Sequence, residues 1–259
     1  MDRESAMDRQ CEANTVWRPL RHACCVLLLS PATAFCQAGP PLITNDPGTP
    51  GNGHLEINLA ASGSRSGATL LLSAPDVDIN YGLGERIQLS LHAPWAHARA
   101  PGESWSSGLG AVEIAVRWRF IDEDRAGFAM AIQPHWASSW SSAAVRRGLA
   151  PSGDELSLPL QVSKGFGPVT VGAELARNFI ERAPDEWQAG LFVAHDCSKR
   201  LQCLAEINTV KPDGENAETV LNIGLRRPLS EHLVLMGSIG HQFGGSQPLV
   251  FYLGVQLLR

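Results

Sequence analysis

The sequence predicts an all-β chain: a closed, antiparallel, up-and-down transmembrane β-barrel of about twelve strands behind a cleaved signal peptide. Three observations predict it. Apolar and polar side chains alternate in one stretch after another, the period of a strand whose two faces meet different surroundings. The connections between stretches are short on one side and longer on the other, as periplasmic turns and extracellular loops are. Aromatic residues gather at both ends of the stretches, as in the girdles that anchor barrels at lipid headgroups.

The bulk numbers fit such a barrel. Of 259 residues 44% are hydrophobic and only 18% charged. No run approaches the 18 or so uninterrupted apolar residues of a membrane-spanning helix. The formal charge of −5 argues against a nucleic-acid partner, which would need a basic face.

Residues 1–38 read as the export leader. Arg18 and Arg21 precede an apolar run, 23–29, and small residues follow through Ala38. Cleavage is expected after Ala38, with Ala34 as the alternative. The acidic start (Asp2, Glu4, Asp8, Glu12) is unusual for a leader and makes Met7 a second candidate start. A buried N-terminal strand is the other reading of this region. Cys11, Cys24, Cys25 and Cys36 fall in the leader, which leaves Cys197 and Cys203. These two flank a five-residue turn, where a hairpin can meet disulfide geometry in an oxidising compartment. Without a C-x-x-C, redox catalysis is not expected.

Residues 39–53, rich in Pro, Gly and Asn, are expected as an irregular periplasmic segment, and 54–259 as the barrel. Its clearest strand is 111–121, where Val112, Ile114, Val116, Trp118 and Phe120 alternate with Glu113, Ala115, Arg117 and Arg119. At about eleven residues it matches a tilted strand crossing a bilayer. The full set is 55–59, 77–81, 87–93, 111–121, 128–136, 156–162, 169–175, 187–193, 201–207, 221–225, 233–239 and 249–257. The eighth and eleventh have mixed faces. Helix should be nearly absent after the leader. Turns after even strands are short (82–85, 122–127, 164–167, 197–202, 228–232), and the two longest connections, 97–110 and 137–153, follow odd strands. Tyr81, Trp118, Phe120 and Phe128 fall at the periplasmic end, and Trp95, Trp136, Trp187 and Phe251 at the outer end. Pro94, Pro134 and Pro159 lack the N–H a ladder needs, so bulges or strand ends are expected there.

This alternation lines the lumen with Asp78, Asn80, Gln88, His92, Glu113, Arg117, Arg119, Gln133, His135, Glu174, Glu206, Asn208, Asn222 and Arg226. Glu113 should lie opposite His135 in the outer half, with Arg117 and Arg119 deeper. Two readings stand. The residues form a mixed-charge constriction that selects among solutes, or they pair across a narrow barrel and fill it. The chain carries no H-E-x-x-H, G-x-S-x-G or Walker loop, so no enzyme is expected. A lipid-facing hydrolase would need Ser and His together on the outer wall, and the nearest candidates are Ser138 and His135, the latter assigned to the lumen. The scattered histidines lack carboxylates at ligand spacing, so neither metal nor cofactor is expected.

The pieces GPPLITNDPGTPGNGHLEINL, DVDINYGLGERIQLSLHAPW, GLGAVEIAVRWRFI and the terminal YLGVQ together resemble the outer-membrane transporter family linked to the MetA pathway of phenol degradation. The distinctive part is PP-x-x-T-x-DP followed by GH-x-E. The resemblance implies an outer-membrane barrel for passive passage of small aromatic or hydrophobic solutes. Its partners would be outer-membrane lipid, the solute and the barrel-insertion machinery. One departure stands out. Barrels of this kind usually end on an aromatic, and this chain has Arg259 there, so assembly is expected but with lower efficiency.

Overall fold

The computed structural model describes residues 39–244 and 249–259; the proposed leader, with its four cysteines, lies outside the described residues. Fourteen strand segments form one antiparallel sheet that closes on itself. They are β1 (Leu55–Ser66), β2 (Thr69–Leu83), β3 (Ile87–Arg99), β4 (Ser106–Leu109), β5 (Val112–Ile121), β6 (Ala129–Ile132) and β7 (His135–Ser138). Then follow β8 (Glu155–Phe166), β9 (Val169–Ile180), β10 (Glu186–Ser198), β11 (Leu201–Pro212), β12 (Glu218–Ser230), β13 (Leu233–Phe243) and β14 (Leu249–Leu258). Two pairs, β4 with β5 and β6 with β7, are single strands interrupted once, so the barrel has twelve staves. All twelve expected strands are present, most of them longer than their alternating cores. Closure comes from β1 against β14, in register from Glu56 opposite Leu258 to Arg65 opposite Leu249. Backbone hydrogen bonds exchanged by Leu55 and Arg259 finish the seam.

The interruptions follow from proline. Pro134 separates β6 from β7, and Pro159 on β8 stands at the same gap, between the pairs Ile132 with Leu160 and His135 with Ser157. Two missing N–H groups thus share one ladder defect. The flanking donors still find partners: Gln133 N–H reaches Pro159 O and Val116 N–H reaches Pro134 O. Pro94 marks the place where β3 changes partner from β5 to β4, opposite a bulge between Ser73 and Asp76.

Two expectations need correction. Residues 97–110 are not mainly loop, because β3 and β4 continue as a hairpin and leave only 100–105 as the connection. The first odd connection is a tight turn at Gly67 (φ 59°) and Ala68, so the sorting of loop length by parity fails there. Helix is nearly absent from the described residues, as expected: α1 (Glu123–Ala126) and α2 (Ser142–Arg146) are one turn each, inside connections. Ser141 caps α2 by accepting from Ala144 N–H, and Gly127 ends α1 in the left-handed region. Below, the end bearing 84–86, 167–168, 199–200 and 231–232 is the short-turn end, and the opposite one the long-loop end.

The two faces separate as the alternation requires. On β5, Ile114, Val116 and Trp118 are 51%, 46% and 53% exposed, while Ala115 and Arg117 between them are 6% exposed. Val112 departs from this: with its partner Ser138 it is buried, next to the contact from Ser138 Oγ to Asp154. Around the wall Leu175, Leu191, Ile223, Ile239 and Leu253 are exposed as well. An apolar band this continuous would be disfavoured in water by about 25 cal/mol per Å² and far exceeds the patches that soluble monomers tolerate. Against hydrocarbon it costs nothing. Tyr81 and Trp118 are exposed toward the short-turn end, and Trp95 and Trp187 toward the other.

Candidate functional site: the lumen and its N-terminal segment

Residues 39–54 are irregular, but they do not hang below the barrel. They run inside it, along the inner wall from β12 and β13 past β11, β10 and β9 to β5, and leave past β2 into β1. A segment without regular structure cannot satisfy its own backbone, so the lumen must do it. Glu206 on β11 accepts from the N–H groups of Ile43 (2.8 Å) and Thr44 (2.7 Å). Asn222 Nδ2 holds that carboxylate from β12 at 2.8 Å, and Asn208 Nδ2 donates to Thr44 Oγ1 at 3.2 Å. Arg226 donates to Pro40 O and Gly39 O, Ser238 Oγ to Pro41 O at 2.7 Å, and Arg117 Nη1 to Gly48 O at 2.6 Å. Leu42 completes the attachment by packing on Phe192, Ala194 and Leu204.

Close approach is built into the wall. A Cβ on Gly190 would fall 2.2 Å from Thr44 Oγ1, and one on Gly82 would fall 1.8 Å from Gly51 O. Both positions therefore have to lack a side chain while the segment is in place. Beside it runs a bridge of polar side chains. Arg117 Nε and Nη2 donate to Gln133 Oε1 at 2.9 and 2.6 Å, and Gln161 Nε2 donates to Gln133 Oε1 and to Glu174 Oε2, both at 2.9 Å.

The segment fills one side of the bore and leaves a cavity of about 230 Å³ on the other, against β1, β2, β3 and β5. Its wall is a ladder of hydrogen bonds across these strands. Asn58 Nδ2 donates to Glu56 Oε1 (3.1 Å) and Asp78 Oδ2 (2.9 Å), and Asn80 Nδ2 to Asp78 Oδ2 (2.8 Å). Gln88 Nε2 and Ser90 Oγ both donate to Asn80 Oδ1, at 2.7 and 2.6 Å. Asp76 lies 2.5 Å from His92 Nε2 and accepts from Ser62 Oγ at 2.5 Å.

The residues assigned to the lumen from sequence fall into three groups. Asp78, Asn80, Gln88, His92, Glu113, Arg117, Gln133 and Arg226 border the cavity. Glu174, Glu206, Asn208 and Asn222 are buried on the segment's side. His135 and Arg119 stand apart from both. His135 Nε2 is 4.0 Å from Glu113 Oε2, and Arg119 belongs to the short-turn rim, where it donates to Asp122 Oδ1 (3.2 Å) and Glu85 O (2.7 Å). At that rim Arg86 also pairs with Asp122 and holds its carboxyl below the usual carboxylate range. Sequence reasoning missed Glu56, Asn58, Asp76 and Tyr252, which also border the cavity. Glu56 and Asn58 alternate with Ile57 and Leu59 and could have been found by the same rule. The lumen position of 39–54 had no such signal.

Cys197 and Cys203 are joined by a disulfide across the β10–β11 turn, Cα to Cα 6.0 Å. Among the described residues, no group of three or more His, Cys, Asp or Glu side chains could hold a metal ion. At the long-loop end Leu149 is buried against Gly108 and, with Leu71, Ser73 and Ala96, borders a second cavity of about 200 Å³.

No protein-family model matches the chain, and no curated protein matches it. Solved structures do. The COG4313 outer membrane channel from Pseudomonas putida F1 superimposes with a TM-score of 0.59 at 13% identity, covering 86% of this chain and 99% of that one. The KdgM porin, solved in complex with disordered oligogalacturonate, gives 0.57 at 12% identity, over 78% of this chain and 98% of its own. The NanC porin gives 0.56 at 8% identity, over 78% and 98%. At such identities the likeness concerns the fold, and it agrees with the apolar wall and the sealed sheet: this chain is a twelve-stranded β-barrel of the bacterial outer membrane.

Proposed function

We propose that the protein is an outer-membrane channel through which small solutes pass down their gradient, with residues 39–50 narrowing the bore. The observation that carries this reading is the cavity of about 230 Å³ beside the segment, bordered by hydrogen-bonding side chains from seven staves. A side-chain-filled cylinder would leave no such space. The resemblance to the phenol-degradation transporters, and the channel and porin structures of like fold, support the same reading. On that resemblance the solutes are small aromatic or hydrophobic molecules.

A second reading has its own observation. The grip of Glu206, Arg226 and Arg117 on residues 39–48 fits a structural or binding barrel whose lumen stays shut. Planar-bilayer recording separates the two, together with liposome swelling against small aromatic acids, alcohols and sugars. A channel gives discrete small conductances, swelling that falls with solute size, and a larger conductance for Glu113→Ala with Arg117→Ala. Negligible current in both the parent and the double variant favours the shut barrel.

A further inference from the structure

We infer that the lumen cavity is a binding site for a small organic ammonium ion. This rests on the proposed passage of solutes through the lumen and names the class the cavity selects.

Charge comes first. Glu56, Asp76, Asp78 and Glu113 approach the cavity from β1, β2 and β5. Facing them are Arg117, Arg226 and His92. Both guanidinium groups direct N–H donors at carbonyls of the N-terminal segment, Arg117 at Gly48 and Arg226 at Pro40. The imidazole of His92 is matched to Asp76 at 2.5 Å. Four carboxylates therefore meet three basic groups, whose nitrogens already have partners: Arg117 at Gly48 O and Gln133 Oε1, Arg226 at Pro40 O, and His92 at Asp76.

A second observation is independent of charge. Asn58 borders the cavity and is 2% exposed. Its Nδ2 donates to Glu56 and to Asp78, which fixes the amide orientation, because both partners are acceptors when ionised. The other end, Oδ1, is a buried acceptor with no partner among the described residues. Leaving such an atom unpaired costs about 1–3 kcal/mol, which a ligand N–H recovers. An anion offers nothing to this oxygen, whereas an ammonium group offers two or three donors.

The third wall is aromatic. Tyr252 of β14 borders the same cavity, between Ser62 and Ser238 in the ladder. A ring beside carboxylates is the pairing that accommodates a cation bearing an organic group, through its face and its apolar edge.

The test uses the folded full-length barrel in detergent and in planar bilayers, with benzylammonium chloride as probe, sodium benzoate as the anionic counterpart and calcium chloride as the inorganic one. Calorimetry should show saturable binding of benzylammonium and none of benzoate. Asp78→Asn should weaken it about tenfold, and so should Glu113→Gln on a different strand. Tyr252→Leu should weaken benzylammonium more than methylammonium. Equal binding of benzoate, calcium binding without amine binding, or amine binding that neither carboxylate variant alters overturns the assignment. The two proposals fail separately. Amine binding without any conductance leaves the site standing and removes the channel. Conductance that favours anions, without amine binding, does the reverse.

Discussion

Glu206 Oε2 accepts the backbone N–H of Thr44 at 2.7 Å, joining residues 162 positions apart in the chain. The same carboxylate takes Ile43 N–H at 2.8 Å, so one side chain of β11 anchors the middle of the N-terminal segment. Replacing it with alanine leaves three donors unmatched, the N–H groups of Ile43 and Thr44 and the Nδ2 of Asn222, a loss of about 3 kcal/mol or more if the segment stays in place. We expect Glu206→Ala to free the segment instead. Conductance in planar bilayers should rise severalfold, and a protease should cut within 39–50. Resistance to protease together with parental conductance would show that the carboxylate is dispensable.

Gly190 and Thr44 form a matched pair of hollow and knob. Gly190→Ala drives a methyl to 2.2 Å from Thr44 Oγ1, so it should open the bore much as the loss of Glu206 does. Thr44→Gly in the same chain removes the knob and should restore the parental conductance. The double-mutant cycle reads the coupling directly, and additive effects would mean that the contact carries no weight.

Ile223 is 64% exposed at the middle of β12. On a wall that meets hydrocarbon, Ile223→Arg should cost about 2–4 kcal/mol in folding titrations into lipid vesicles. Trp140→Arg, in the long connection before β8, should cost little. Equal, small losses at both positions would mean that the wall is wetted.

Asp122 at the short-turn rim is held below the ordinary carboxylate range, first by its hydrogen bond from Arg86 and further by the charges of Arg86 and Arg119, against a desolvation that acts the other way. A depressed carboxyl adds stability that is complete above its unfolded pKa and disappears as pH falls through its folded one. The rim is open to solvent, so the contribution is about 1 kcal/mol at most. Asp122→Asn should therefore be less stable than the parent in urea at pH 7, and the two should converge well below pH 4. A gap that persists at low pH would assign the effect to something other than ionisation.

The bridge between Cys197 and Cys203 closes a short loop, worth about 2 kcal/mol in chain-entropy accounting. Mass spectrometry of denatured protein should show both thiols blocked to alkylation until reductant is added. Free thiols at these positions without reductant would remove the staple.

The strands were legible in the sequence because a barrel wall has two solvents and a period of two. Glu113, Arg117 and their neighbours on β5 could be assigned a face before any coordinates existed. The hairpin 97–110 was not, since Ser, Gly and Ala pack into strands without marking a face. The position of residues 39–54 was beyond reach for a different reason. Nothing periodic ties Thr44 to Glu206, and the charged partners that settle the segment, Arg117, Glu206 and Arg226, lie 69 to 186 positions away. Glu56 and Asn58 were within reach of the alternation rule, whereas the pairing of Asn58 with Asp78 depends on the register of β1 with β2. Arg119 shares the inward face of Arg117 yet serves the rim, because the β5 strand ends two residues later.

Eleven of the twelve junctions between staves join neighbours in chain order, so the sheet can grow hairpin by hairpin at small loop-closure cost. The exception is the junction of β1 with β14, whose pairs, such as Glu56 with Leu258, link positions near the two chain ends. Until that junction zips, the assembly is a curled ribbon with two raw edges, and afterwards it has none. The decisive moment in maturation therefore comes last, when a first strand that emerged early must still be waiting, unpaired on one flank, for the final one to arrive.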